Sequence, residues 1–324
     1  MPRPSGRGAD TGETVVVSAF TVRPHPTPQK QPFAVWDISE WVVVSQEARG
    51  LDPKDWVALE SDSRREGQSR WWLFKPIKAA SYRRYDDWSE KIASELATVI
   101  GLPSARVELA KRGAEIGIIS RNVTPDGSSL ESGDTLLSEF AGYQSCAGDD
   151  RPKNRVGHNL DNIERLLDDV GPSGAATATM SGFDQFAGYL LFDAWIANTD
   201  RHAINWGVIT RNADGHRSLA ESFDHGSALV SGLQDRHMPT KDATVFAAGG
   251  FAGRFEDGRR LTLVDLAISA VHRAGPQAQT WIERIGAVDQ ETIESILLSV
   301  PEMSELRRSF ISTLLETNRR RLTA

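Results

Sequence analysis

The sequence predicts an α+β protein in two lobes, with a mixed first half and a mainly helical second half. The chain has 324 residues, and a single hydrophobic core stops growing at roughly 250–300. Its 40% hydrophobic and 25% charged residues are typical of a globular protein. Strand patterns with one intervening helix run to about residue 140, and helix patterns dominate after it. We therefore predict a first lobe over 15–140 and a second lobe over 141–324.

Composition and charge exclude several classes of protein. The single cysteine cannot form an internal disulfide, so the reducing cytoplasm is the expected compartment. No apolar stretch approaches the roughly 20 residues of a bilayer span, so we expect no membrane association. The formal net charge of −7 opposes the phosphates of nucleic acid, and we expect no direct nucleic-acid binding.

The first elements place a lysine at the end of a strand. Residues 1–14 are rich in Gly, Pro and Arg with almost nothing apolar, which predicts disorder. Trp71–Phe74 is aromatic and apolar and follows the polar segment Ser61–Gln68, as in the second strand of a hairpin. Lys75 stands at the end of this strand.

A helix follows, and its first turn carries a glutamate. Between Asp86 and Ile100 the apolar residues recur at the spacing of one helix face, and Gly101 ends the run. Glu90 lies near the start of this predicted helix. Further strands are predicted at Val107–Ala110, Ile116–Ser120 and Thr135–Phe140.

The second lobe is predicted to be mainly helical, with a short hairpin-like stretch at Trp206–Ile209 and Leu219. The predicted helices are Asn159–Val170, Phe183–Ala197, Leu263–Ala274, Thr280–Ile285, Glu291–Val300 and Glu302–Leu322.

The polar segment directly after the second of these helices carries the strongest functional signal. Phosphoryl transfer from ATP needs a carboxylate to deprotonate the acceptor hydroxyl, oxygen ligands for Mg²⁺ and a cation for the phosphates. Asp200 and Asn205 are five residues apart, and Asp224 follows nineteen residues later, with Gly226 close behind. This spacing is typical of a kinase catalytic loop and its metal-binding aspartate.

Four segments in this order resemble the HipA-like serine/threonine kinases, a bacterial branch of the protein-kinase-like fold that is related to phosphatidylinositol 3/4-kinases. They are Phe74-Lys75-Pro76, Ser89-Glu90-Lys91, Asn198-Thr199-Asp200-Arg201-His202-Ala203-Ile204-Asn205 and Phe223-Asp224-His225-Gly226-Ser227. The resemblance implies a two-lobed kinase-like fold that binds ATP and Mg²⁺ between a mixed N-lobe and a helical C-lobe.

The resemblance also implies catalytic roles for individual residues. Asp200 is the implied catalytic base, and His202 shapes the loop around it. Lys75 is expected to contact the ATP phosphates while Glu90 holds it. Asn205 and Asp224 are the implied Mg²⁺ ligands.

Two further segments are implied to contact the nucleotide. Glu139, Phe140 and Ala141 are placed by element order where a kinase offers backbone groups to adenine. The implied phosphate loop contributes Ser61, Ser63, Gly67 and Gln68, although this loop holds fewer small residues than is usual in the family. Some members are controlled by phosphorylation of a serine in that loop, which makes Ser61 and Ser63 candidates for self-phosphorylation.

Alternatives remain open at this point. Taken singly, Asp200 can be explained as a turn residue and Lys75 as a solvated strand end. A pseudokinase that acts as a binding module would share the fold. The acceptor can be a protein serine or threonine, or a small-molecule or lipid hydroxyl. HipA-like toxins phosphorylate aminoacyl-tRNA synthetases, so the resemblance suggests such a protein substrate and an antitoxin partner.

Overall fold

The computed structural model describes residues 31–46, 54–77, 85–146 and 154–324. The disorder predicted for 1–14 lies outside these ranges. The strands are β1 (Val35–Asp37), β2 (Val42–Gln46), β3 (Asp55–Ala58), β4 (Trp72–Pro76), β5 (Val107–Arg112), β6 (Glu115–Arg121), β7 (Ser128–Ser132), β8 (Gly207–Arg211) and β9 (Arg217–Leu219). The helices are α1 (Glu60–Ser63), α2 (Asp86–Ile100), α3 (Gly133–Leu137), α4 (Leu160–Leu166), α5 (Gly182–Ile196), α6 (Ala243–Ala248), α7 (Leu263–Arg273), α8 (Gln279–Gly286), α9 (Gln290–Leu298) and α10 (Glu305–Leu322).

The first lobe is built on a six-stranded sheet in the order β1-β5-β6-β4-β3-β2. β1 runs parallel to β5, and the other neighbours are antiparallel. Successive side chains of a strand point to opposite faces of the sheet. Phe74 therefore packs with Val57 and Ile119 on one face, while its neighbour Lys75 points to the other face.

Most predicted elements of this lobe are confirmed. The hairpin predicted before Lys75 is formed by β3 and β4. The predicted helix over Asp86–Ile100 is α2, and Gly101 ends it with a left-handed φ of 67°. A glycine adopts this conformation without the Cβ clash that other residues meet.

The strand predicted at Thr135–Phe140 is wrong. The chain forms α3 there, because the Ser132 side chain accepts a hydrogen bond from the Thr135 N–H and caps a short helix. The strand of this region is β7, earlier in the sequence, which pairs antiparallel with β8.

The chain crosses from the first sheet to the second lobe earlier than the sequence suggested. It leaves the six-stranded sheet at Arg121 and enters the three-stranded sheet β7-β8-β9 at Ser128. Residues 128–137, which were predicted to lie in the first lobe, thus form β7 and α3. These pack against β8 and α4 of the second lobe.

Helices α7, α8 and α10 of the second lobe pack against α5, which is buried along its whole length. The predicted helices are confirmed with small shifts at their ends; α4 is the shortest of them relative to its prediction. One hydrophobic core holds the second lobe together, and it also includes the buried face of α2, from Ile92 to Ile100. None of the helices in the described ranges combines the length and the apolar character needed to cross a bilayer.

Candidate active site

Lys75 joins the two lobes through two carboxylates. Its Nζ lies 2.9 Å from Glu90 Oε1 and 2.9 Å from Asp224 Oδ1. β4 supplies the lysine, α2 supplies the glutamate, and the segment after β9 supplies the aspartate. A backbone hydrogen bond of 3.1 Å from His225 N to Glu90 Oε2 fixes the glutamate from the opposite side.

Burial and neighbouring charges together set the protonation of Lys75 and Asp224. Burial alone would lower the pKa of Lys75, but the carboxylates of Asp224 and Glu90 outweigh it and raise that pKa. Burial opposes ionisation of Asp224 as well, but Lys75 and Lys54 hold its pKa below the usual range. Lys75 is therefore a cation and Asp224 an anion at neutral pH.

The backbone around Asp200 is held by a buried polar scaffold. Asn198 Oδ1 accepts a 3.1 Å bond from Asp200 N, and Asn198 Nδ2 donates to Asp193 of α5 at 2.8 Å. Arg201 forms two bonds with the same Asp193 carboxylate, at 2.7 and 2.8 Å. Asn205 Nδ2 donates to the Asp200 carbonyl at 3.0 Å. These bonds give loop 198–205 a fixed shape.

Both oxygens of the Asp200 side chain contact residues outside loop 198–205. Oδ2 accepts a 3.1 Å hydrogen bond from Ser227 Oγ, and Oδ1 lies 2.6 Å from a guanidinium nitrogen of Arg254. The Asp200 side chain is 19% exposed, so part of it remains accessible to solvent. A carboxylate held in this way can accept a proton from a hydroxyl that reaches it.

The Asp224 segment and loop 198–205 lie against each other. Arg201 Nη1 donates to the Asn205 carbonyl at 2.7 Å and approaches the Phe223 carbonyl at 3.4 Å. Asp224 itself has a left-handed φ of 63°, a strained conformation that is common at functional sites. Burial lowers the pKa of His202, although the charges of Asp200 and Asp224 oppose this, so its ring is neutral near pH 7.

The donor set beside this segment suits Mg²⁺ bound together with a phosphate. Within the described ranges, no three His, Cys, Asp or Glu side chains could hold a metal by themselves. Mg²⁺ is usually bound by one or two carboxylates plus substrate phosphates and water. Asp224 offers carboxylate oxygens, and Asn205 keeps its amide oxygen because its N–H group bonds Asp200. The buried Nδ1 of His202 has no hydrogen-bond partner among the described residues, so this pocket still has an unsatisfied polar atom.

The structure does not bring Ser61, Ser63, Gly67 and Gln68 to Lys75. They belong to the β3–β4 connection, which meets β4 at Trp72, because Trp72 pairs with Val57. Lys75 is three residues further along β4, roughly 10 Å away. The connection is tied to the turn at Asp126, which accepts a 2.8 Å bond from Ser69 N. The Lys75 end of the sheet is instead where β2 ends and β3 begins, since Gln46 pairs with Asp55 and Asp55 pairs with Phe74.

Glu139, Phe140 and Ala141 lie beside α4. They line a groove together with Asn162 and Arg165, and the Arg165 guanidinium stands 5.1 Å from the centre of the Phe140 ring. The chain crosses between the lobes earlier, after Arg121. Contact of residues 139–141 with adenine therefore stays a prediction that this geometry does not support.

Three residues of the site were not predicted from the sequence. Arg254 and Ser227 contact the Asp200 carboxylate, and Asp193 carries the scaffold beneath it. Asp193 lies on the buried helix directly before loop 198–205, and a charged residue in that apolar run could have been noticed. Ser227 stands in a segment already singled out. Nothing in the spacing of Arg254 points to Asp200.

The two-lobed fold and the set Lys75, Glu90, Asp200, Asn205 and Asp224 define the class: this is a protein of the protein-kinase-like fold. The model for the HipA-like C-terminal domain matches residues 47–292, more than half of the chain. The chain therefore belongs to the HipA-like family, whose fold is that of kinases. No curated protein is significantly similar to it in sequence.

Comparison with solved structures gives one match that supports this fold and two looser ones. A proinflammatory kinase from Helicobacter pylori, CtkA, is 16% identical, and the similarity covers 90% of this chain and 96% of CtkA with a TM-score of 0.62. HipA of Shewanella oneidensis, solved with HipB and operator DNA, is 14% identical over 89% of this chain and 67% of its own, with a TM-score of 0.46. A golgi casein kinase is 12% identical, and the similarity covers 90% of this chain and 73% of the casein kinase chain with a TM-score of 0.40. The similarity to CtkA shows the fold, and the other two superpose too loosely to add to it.

Proposed function

We propose that this protein is an ATP- and Mg²⁺-dependent kinase that transfers the γ-phosphate to a serine or threonine hydroxyl of a protein. The observation that carries the proposal is the bridge formed by Lys75 between Glu90 and Asp224, with 2.9 Å on either side. A protein kinase needs its strand lysine paired with the helix glutamate and its metal-binding aspartate beside them at the same time.

Each of these residues has a role in the proposed reaction. Asp200 takes the proton of the acceptor hydroxyl as that oxygen attacks the γ-phosphorus and ADP leaves. Lys75 neutralises phosphate charge, and Glu90 keeps Lys75 in place. Asn205 and Asp224 are the residues that would hold Mg²⁺, which supplies charge neutralisation to the phosphates when bound. His202 is neutral and shapes the loop, without a step of its own.

The acceptor is the finer part of the proposal. Membership of the HipA-like family supports a protein hydroxyl, with an aminoacyl-tRNA synthetase as one candidate substrate, a toxin-type role and an antitoxin partner in the cytoplasm. Small-molecule or lipid hydroxyls and a binding-only role are the alternatives. A binding-only protein has no need of an intact bridge at Lys75 and a scaffolded carboxylate at Asp200, so the geometry favours an enzyme.

The test compares wild-type protein with the Asp200→Asn variant. Both are incubated with Mg²⁺ and γ-labelled ATP, and ADP release and protein-bound label are followed, with mass spectrometry to locate the label. General-base catalysis contributes about 10²–10⁴-fold, so we expect Asp200→Asn to lose that factor in rate while it still binds ATP. Near-normal turnover in Asp200→Asn would contradict the assignment of the base. Nucleotide binding without any turnover in wild-type protein would favour the binding-only alternative.

A further inference from the structure

A basic side chain from a distant part of the sequence contacts the proposed base. Arg254 lies between α6 and α7, and its guanidinium is 2.6 Å from Asp200 Oδ1. The pair is only partly open to solvent, with the Arg254 side chain 12% and the Asp200 side chain 19% exposed. An ion pair at such a depth is screened by water much less than a surface pair.

The backbone that carries Arg254 is fixed in several places. His158 Nδ1 donates to the Arg254 carbonyl at 3.1 Å, and the His158 carbonyl accepts a 2.9 Å bond from Glu256 N. The His158 ring also stacks on Phe255, with 4.2 Å between the ring centres. Gly253 is held too, since its carbonyl accepts a bond of 2.8 Å from Asn154 N. This segment therefore presents the guanidinium to Asp200 from a rigid support.

The second carboxylate oxygen is held separately. Ser227 Oγ donates to Asp200 Oδ2 at 3.1 Å, from the segment that also contains Asp224. Asp200 Oδ1 is thus held by the charge of Arg254, without a hydrogen bond among the described residues, and Oδ2 is held by the hydrogen bond from Ser227. Without Arg254, the Ser227 contact would be the one left to the carboxylate among the described residues, and the carboxylate could turn about its Cβ–Cγ bond.

We infer that Arg254 is a positioning residue for the phosphoryl-transfer step, and that it orients the Asp200 carboxylate toward the acceptor hydroxyl. The inference rests on the proposed function. The arginine keeps Oδ1 engaged, so Oδ2, which has a second lone pair beside the Ser227 hydrogen bond, is left to accept the proton of the incoming hydroxyl. Small misplacements of a reacting group can cost about 10²-fold in rate, so the expected effect falls on turnover and not on nucleotide binding.

The opposite role would be inhibition, in which Arg254 competes with the acceptor for Asp200. The two roles predict opposite signs: loss of a positioning arginine slows turnover, and loss of an inhibitory arginine speeds it. A purely structural role would lower stability and leave the rate of the folded fraction unchanged.

The test measures ADP release with Mg²⁺ and ATP for wild-type, Arg254→Ala and Arg254→Lys protein. Arg217→Ala is the matched control, because Arg217 also pairs with an aspartate of the second lobe, Asp169, but at the surface. We expect kcat of Arg254→Ala to fall about 10–100-fold with KM for ATP unchanged, Arg254→Lys to fall less, and Arg217→Ala to match wild type. Guanidinium ion added below its unfolding concentration should restore part of the Arg254→Ala rate and none of the Asp200→Asn rate.

The outcomes separate the inference from the function on which it rests. Absence of turnover in wild-type protein overturns the proposed function and this inference with it. Wild-type turnover that is unchanged or faster in Arg254→Ala overturns the inference alone. If Arg254→Ala does not fold, Arg254→Lys decides: a rate equal to wild type overturns the inference, and a lower kcat at unchanged KM supports it.

Discussion

At the scale of single residues, Lys75 separates two carboxylates that would otherwise repel each other. Glu90 is only 4% exposed, and Asp224 lies on the other side of the same ammonium group. Removal of one partner from such a cluster leaves a buried charge without compensation. The lysine therefore contributes to folding as well as to the proposed phosphate contact.

Lys75→Met is expected to lower the free energy of unfolding by about 1–3 kcal/mol, because Glu90 loses its cation next to Asp224. The double variant Lys75→Met/Glu90→Gln should regain part of the loss, since its glutamine carries no charge. Urea denaturation of the three proteins measures both effects. A double variant less stable than Lys75→Met alone would contradict the charge argument.

The buried pair of Arg201 and Asp193 gives a second residue-scale prediction. Both side chains are 2% exposed, so Arg201→Met should cost about 3–5 kcal/mol of unfolding free energy. The exposed pair of Arg217 and Asp169 is the control, and Arg217→Met should cost less than about 1 kcal/mol. Equal losses in the two variants, measured by chemical denaturation, would show that burial does not decide the difference.

Some contacts of the site could not be predicted from the sequence, because they join residues far apart along the chain that belong to no known motif. Lys75, Glu90 and Asp224 were predicted because their order and local elements match a known chemistry, and the structure brings them within hydrogen-bond distance. Arg254 is brought to Asp200 by a segment that packs on His158, and no periodicity or spacing in the sequence indicates that contact.

At the scale of elements, local signals decided which predictions succeeded. The helix at Asp86–Ile100 was predicted with its correct ends because apolar spacing and Gly101 are local features. The strand predicted at Thr135–Phe140 failed because the cap at Ser132 outweighed a short apolar run. The β3–β4 connection was predicted to contact the ATP phosphates, but the structure places it at the Trp72 end of β4 and not at the Lys75 end; order along the chain does not show this, because register is set by pairing.

The buried ring of His158 predicts that the free energy of unfolding decreases at acid pH. Trp206 Nε1 donates to His158 Nε2, so the ring is neutral with its proton on Nδ1, and burial lowers its pKa to about 4. In the unfolded chain, His158 therefore takes up a proton as the pH falls through about 6.5, whereas in the native state it stays neutral until about pH 4. The stability that neutral His158 provides is complete above about pH 6.5 and is lost as the pH falls toward 4, by up to about 3 kcal/mol.

Unfolding free energies measured by urea at pH 7 and pH 5 test this. The decrease between the two pH values should be smaller in His158→Phe than in wild type. His216→Phe, at an exposed histidine, should keep the wild-type decrease. Identical pH dependence in wild type and His158→Phe would contradict the role assigned to the buried ring.

At the scale of the whole molecule, the division into lobes does not coincide with the division of the hydrophobic core. α2 belongs to the first lobe in sequence, but Ile92, Leu96 and Ile100 pack into the core of the second lobe. Two contacts with the second lobe hold the start of α2. Tyr85 N donates to the Ser231 carbonyl at 3.0 Å. The Arg307 guanidinium of α10 lies 3.6 Å from the centre of the Tyr85 ring. The outer face of the sheet has a separate small cluster.

Hydrogen exchange should reveal this unequal division. We expect amides of α2 to be protected as strongly as those of α5, and more strongly than those of β2 and β3, because amides that share a core open together. Exchange measured by mass spectrometry on peptides from the three regions provides the comparison. If the amides of α2 exchanged as fast as those of β2 and β3, α2 would open together with the sheet, and the expectation would be wrong.

The anchoring of α2 limits how this protein can be switched off. Swinging the helix outward to separate Glu90 from Lys75 would expose Ile92, Leu96 and Ile100, at a cost of roughly 5–10 kcal/mol for three large side chains. A regulator that displaced the helix would have to supply this free energy in addition to its own binding. An inhibitor, whether a protein or a small molecule, is therefore expected to block the cleft and leave the Lys75–Glu90 pair intact.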